Sequence, residues 1–232
     1  MSELATYVHD GGIGTITMDD GKVNVFSSPM LRSLHAAFDR AEADGAVVLL
    51  TGREKYFSAG FDLKTIANGG EATREMLLLG AGLAERILTF PTPVVVACTG
   101  HAYPAGAFLL LSADARVGAD GDFRIGLNEV RIGMTLPWFA IEIARQRLTP
   151  AAFDRTVVNA TMFSPTGART AGFLDLVVPA DQLAAAGRAV AEDLTGLDFR
   201  AHAATKLRAR AGAIAAVRQA VVREFGEGTP AH

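Results

Sequence analysis

Apolar residues fall along this chain in three kinds of pattern. In "IGTITM" (13–18) they alternate with small or polar ones, the period of a strand with one buried face. In "AVVLLTG" (46–52) and "PVVVACTG" (93–100) they run unbroken until a glycine, which predicts strands buried on both faces. In "SSPMLRSLHAAFDRAEAD" (27–44), Leu31, Leu34, Phe38 and Ala41 recur at helical spacing behind a Ser-Ser-Pro start. A long amphipathic segment, "REMLLLGAGLAERILTF" (74–90), joins the two buried strands, and strand, loop and helix recur around "PAGAFLLLSAD" (104–114). Strands and helices in alternation predict an α/β architecture. Beyond about Ala184 the chain is rich in Ala and Arg at helical spacing, as in "AHAATKLRARAGAIAAVRQAVVREF" (201–225), and reads as a helical appendage. No fixed-period repeat points to a solenoid.

Composition narrows the classes. A chain of 232 residues, half of them hydrophobic and a fifth charged, suits one sizeable soluble domain with a real core. A net charge of −3 leaves no basic surplus for phosphate backbones, so nucleic acid is not an expected partner. The start, "MSELATYVHDGG", has no apolar run of the signal-peptide kind, and no stretch is long enough to cross a bilayer unbroken. A cytoplasmic location without membrane contact is expected. The lone Cys98 reads as core. There is no P-loop, HExxH or GxSxG motif, and "GGIGT" (11–15) precedes a strand rather than a helix. His9, His35, His101, His202 and His232 lack metal-ligand spacing, so no metal site is expected.

Two turns offer backbone donors. In "YFSAGFDLK" (56–64), small residues break the chain just after a strand. In "GHAYPAGAFLLLSAD" (100–114), Pro104 suits a first helical turn and would leave the N–H groups of Ala105 and Gly106 at the positive end of that helix. Convergent amides of this kind stabilise a carbonyl oxygen that gathers negative charge; equally, both could be plain tight turns after strands. A third stretch, "RIGLNEVRIGMTLP" (124–137), carries a single acid, Glu129, among apolar and small residues. It is either a buried chemical group or a charge on an exposed loop.

Taken in order, "FSAGFDLK", "GHAYPAGAFLLLSAD" and "FRIGLNEVRIGMTLP" resemble the three consecutive signatures of the crotonase, or enoyl-CoA hydratase/isomerase, superfamily. "SPTGARTAGFLDLVVP" (164–179) is similar to the helix and short strand that follow them. The resemblance implies a spiral core of ββα turns over 1–183, with the acyl-CoA site, and a C-terminal helical trimerisation region over 184–232. It implies an acyl-CoA thioester as substrate, with coenzyme A part of the substrate rather than a cofactor, and a homotrimer or dimer of trimers. It places the oxyanion donors at the N–H groups of Phe61 and Ala105, with Gly106 the neighbouring alternative. Phe61, Asp62, Leu63 and Lys64 would line the bound CoA, Lys64 approaching its phosphates, although Asp62 also reads as a turn former. "GKVN" (21–24) resembles the other CoA-contacting turn, which makes Lys22 a candidate; both lysines equally suit a solvated surface.

Hydratases of this family use two glutamates. Glu129 occupies the place of one, and the place of the other falls on Phe108, which cannot bind or deprotonate water. "PAG" before an apolar residue, with "IGLNE", is closer to the Δ3,Δ2-enoyl-CoA isomerases, which work with a single glutamate. That resemblance implies proton removal from C2, a dienolate held in the oxyanion hole, and proton return to C4, with Phe108 as an apolar wall. Enoyl-CoA hydration in fatty-acid β-oxidation, a lyase reaction, is the alternative, and a non-catalytic acyl-CoA-binding paralogue is another. Elsewhere, Asp114 reads as a cap or ion-pair partner at its helix end and His101 as structural. Trp138 and Phe139 read as core, or as acyl-pocket lining. Lys206, Arg208 and Arg210 suit either a solvated face or CoA phosphates.

Overall fold

The structure, a computed structural model, describes residues 3–226. Its strands are β1 Ala5–Asp10, β2 Ile13–Met18, β3 Val25–Phe26, β4 Val47–Thr51, β5 Lys55–Ser58, β6 Gly60–Phe61, β7 Val94–Cys98, β8 Gly100–Ala102, β9 Ala115–Ala119 and β10 Leu176–Val178. Its α-helices are α1 Ser28–Ala43, α2 Leu63–Asn68, α3 Gly70–Thr89, α4 Pro104–Ser112, α5 Trp138–Arg145, α6 Pro150–Val157, α7 Pro165–Ala171, α8 Leu183–Leu194, α9 Phe199–Ala209 and α10 Ala211–Phe225.

A six-stranded sheet runs in the order β1-β2-β4-β7-β9-β10, antiparallel in the β1/β2 hairpin and parallel elsewhere. The unbroken apolar runs form β4 and β7, where Val48, Leu50, Val94 and Val96 are fully buried. Each of these strands is followed by a shorter one outside the main sheet: β5 pairs β8 and β6 pairs β3, both in parallel. The next turn of the spiral contributes Ile125, which bridges Ala102 on one side and Phe163 on the other. The second layer therefore collects the ends of successive ββα turns, and those ends carry the candidate donors and Glu129.

Helix α1 begins where Ser27 accepts the Met30 N–H, with Pro at the tolerant first turn, and buries Leu31, Leu34, Phe38 and Ala41. The C-terminal helices are no detached appendage. α8 covers one face of the main sheet, its Leu183 and Ala191 joining Val47, Leu49, Val95 and Ala97 in a second apolar cluster. α10 folds back on α5 and α3, and its Ile214, Val217 and Ala220 complete the principal core. Sequence periodicity gives the helices but not the surfaces they cover. Among the described residues no helix is long and apolar enough to cross a membrane.

Candidate active site

A cavity of about 300 Å³ opens between β6, the start of α4, the 128–137 segment and α10. Phe61, Phe108, Ile132 and Met134 give it apolar walls, and Glu129 lies in its lining.

The two donor turns meet beside it. Gly60 takes φ +92°, a conformation few residues but glycine adopt, and an ideal Cβ there would sit 3.5 Å from Pro104 Cδ and 3.7 Å from the Ala105 nitrogen. The Gly60 N–H donates to Ser58 Oγ (3.1 Å) and the Asp62 N–H to the Phe26 carbonyl (3.3 Å). Successive amides of an extended segment alternate in direction, so the Phe61 N–H turns away from β3. In α4, Tyr103 supplies no side-chain cap, and the Ala107 N–H is already bonded to the Tyr103 carbonyl (3.0 Å). The amides of Ala105 and Gly106 precede it in the uncapped first turn. The two differ in surroundings: a Cβ on Gly106 would meet Ser58 Cβ at 2.9 Å, whereas the Ala105 nitrogen lies next to Gly60.

Glu129 is 5% exposed. Its backbone carbonyl accepts the N–H groups of Ile132 (3.0 Å) and Met134 (2.9 Å), which closes the 3-10 turn Val130–Ile132 and fixes the residue's place. Its Oε2 is buried with no hydrogen-bond partner. Burial pushes the carboxyl up to about 7, and the residue's own backbone N–H pulls the other way. Of its apolar sequence neighbours, Ile125 and Leu127 are buried, but Val130 and Ile132 are half exposed. The shielding comes instead from the folded-back walls of the cavity. Phe108, 2% exposed, meets Phe61 at 6.4 Å between ring centroids and Phe139 at 6.0 Å.

The remaining candidates scatter. Leu63, largely exposed, lines the cavity mouth. The Asp62 carboxylate caps α2, accepting from the Lys64 N–H and the Thr65 hydroxyl, each at 3.0 Å. Lys64 and Lys22 are exposed, the latter in a turn whose Asp20 carboxylate accepts the Lys22 N–H at 2.7 Å. His101 sits among Tyr56, Tyr103 and Phe123 and accepts the Arg124 N–H on Nδ1 (3.0 Å). Phe139 is core, but Trp138 is 42% exposed and carries the Arg223 guanidinium over its ring at 3.4 Å. Lys206 and Arg210 do not form a solvated face: both pair with Asp114, and Lys206 is buried. Arg208 is exposed. Sequence reasoning missed Leu77, Tyr103, Asn128, Thr135 and Glu224 in the lining. Tyr103 and Asn128 adjoin motif residues and were within reach; nothing local marks Glu224.

A spiral of ββα turns with two amide-bearing turns beside a buried acid is the architecture of the crotonase superfamily, and the comparisons with known proteins agree. The profile of the enoyl-CoA hydratase/isomerase family matches residues 9–222, and the chain belongs to that family of enzymes. An enoyl-CoA hydratase/isomerase family protein from Pseudomonas syringae is 46% identical, with a TM-score of 0.94 over 97% of each chain. A Mycobacterium tuberculosis protein, described both as an enoyl-CoA isomerase and as a probable enoyl-CoA hydratase, is 41% identical, with a TM-score of 0.93 over 98% of this chain and 100% of its own. A putative enoyl-CoA hydratase from Thermus thermophilus is 31% identical over 194 residues, 81% of this chain and 76% of its own.

Proposed function

We propose that the protein is an enoyl-CoA isomerase that moves a double bond from C3 to C2 of an acyl-CoA thioester. The observation that carries this reading is the Glu129 carboxylate. It is buried and unpartnered on one oxygen, and it lines a cavity in which Phe108 stands where a second acid would be required for hydration. Glu129 removes a proton from C2. The electron pair moves into a dienolate whose oxygen is held by the N–H groups of Phe61 and Ala105. The same carboxyl returns the proton to C4, so atoms and charge balance without water or cofactor. The site of Gly106 against Ser58 favours Ala105 over it as second donor. The CoA moiety runs along Leu63 and α2, with Lys64 and Lys22 as surface cations for its phosphates and Asp62 shaping the turn between. Assembly as a trimer or dimer of trimers in the cytoplasm completes the proposal.

Hydration would need a second carboxylate facing Glu129 across a water molecule. The other acid in the lining, Glu224, is tied to the start of α5 instead. A Glu129 turned into the cavity also favours chemistry over binding alone.

The test follows ultraviolet absorbance of the conjugated thioester. With a 3-enoyl-CoA the absorbance rises, and with a 2-enoyl-CoA it stays flat. Glu129→Gln lowers kcat by a factor on the order of 100 or more while the thioester still binds. Falling absorbance with the 2-enoyl-CoA would mean hydration, and full activity in Glu129→Gln would remove the base.

A further inference from the structure

The cavity holds a carboxylate that the proposed reaction does not use. Glu224, in the last turn of α10, lines it alongside Thr135 and Pro137. Its Oε2 accepts the Trp138 N–H at 2.8 Å, at the start of α5, where no neighbouring side chain caps the helix. Glu224 is exposed at the rim of the cavity, and that bond ties its carboxylate there. A carboxylate offers about four acceptor sites, so one backbone bond leaves it able to accept more.

The cavity lining places Glu224 beside a bound acyl chain: Phe61, Phe108 and Glu224 line the same space, the two rings 6.4 Å apart between centroids. A thioester held by its carbonyl at Phe61 extends its acyl chain into the cavity that Glu224 lines. A plain alkyl chain ending there would strip water from the carboxylate and return nothing, whereas a chain with an O–H or N–H donor would make a charge-assisted hydrogen bond.

We propose that Glu224 is a specificity-determining residue that selects acyl thioesters carrying a hydroxyl or ammonium donor on the chain beyond the reacting carbons. The proposal rests on the acyl-CoA reading of the site given above. Sites built to hydrogen-bond a substrate group discriminate against analogues that lack it far more than apolar pockets discriminate by size.

The experiment uses 3-enoyl-CoA esters of five to eight carbons ending in methyl, hydroxyl or ammonium. Dissociation constants and kcat/KM are measured for the wild type, Glu224→Leu and Glu224→Gln. The wild type is expected to favour a donor-tipped ester over its methyl counterpart by about tenfold at one or more lengths. Glu224→Leu reverses that order, while Glu224→Gln keeps the hydroxyl preference and loses the ammonium one. The hydroxyl and ammonium arms identify which donor the site takes. Methyl esters preferred at every length, or an unchanged donor preference in Glu224→Leu, would overturn the proposal. If Glu224→Leu does not fold, the wild-type series and Glu224→Gln decide alone. Donor preference in binding without turnover would sink the isomerase reading and leave this proposal standing; turnover confined to methyl esters would do the reverse.

Discussion

Lys206 Nζ lies 2.6 Å from Asp114 Oδ2, joining α9 to the turn just past α4, ninety-two positions earlier in the chain. Asp114 also accepts the Val94 N–H (2.8 Å) and pairs with Arg210 (2.9 Å). Arg147 and Arg210 in turn donate to the Ala113 carbonyl at the end of α4, where cations complement the negative helix terminus. The helix that begins at Pro104 in the site is thus anchored at its far end by the C-terminal region.

Removing the shared anion should be worse than removing one cation. Asp114→Asn leaves Lys206 buried and uncompensated and is expected to lose roughly 3–5 kcal/mol of stability. Lys206→Met should lose clearly less, because Arg210 still pairs with Asp114 and the apolar chain fills the space. Denaturant midpoints for the two variants check the order, and a reversed order would contradict this account of the anchor.

Glu129 links activity and stability through pH. Its carboxyl titrates at about 7 in the folded protein against an ordinary 4.5, because burial disfavours the charged form. Between those values the folded state holds more protons than the unfolded one. Its contribution is therefore fully present below pH 4.5 and is lost as pH rises through 7. Glu129→Gln should be more stable than wild type at pH 8, by up to about 3 kcal/mol, with the gap closing near pH 4. The wild-type kcat/KM should fall on the acid side with an apparent pKa near 7. Thermal melts at the two pH values and a pH–rate profile check both.

Gly80 in α3 sets two opposing effects against each other. Alanine gains roughly 1 kcal/mol of helix propensity over glycine in a helix interior. Its Cβ, however, would lie 2.5 Å from Phe61 Cε1 and Cζ. The Phe61 ring is half-buried and can turn aside, so stability should stay within about 1 kcal/mol of wild type. The strand that carries the Phe61 amide is disturbed, so KM or kcat should worsen severalfold. Gly80→Ala with unchanged kinetics would show that this ring contact does not position the donor.

Much of the fold was legible because it is encoded between near neighbours. The unbroken runs became β4 and β7, the alternating segment became β2, and Ser27 with Pro29 starts α1 as its spacing suggests. The family signatures located Phe61, Ala105, Phe108 and Glu129, since each lies in a short stretch whose turn chemistry is local. Strands of two to four residues such as β3, β6 and β8 carry too few positions for any period to register.

Burial and partnership were decided by the tertiary structure. The charges on α9 look alike in sequence, yet Lys206 is buried on Asp114 while Arg208 faces solvent, because only the docking of α9 beside the end of α4 separates them. Glu224 stands ninety-five positions from Glu129 and enters the same cavity because α10 turns back over α5. A residue's own neighbours in the chain set its backbone and its face. Which remote surface that face meets, and so which acid loses its water, depends on how the whole chain packs.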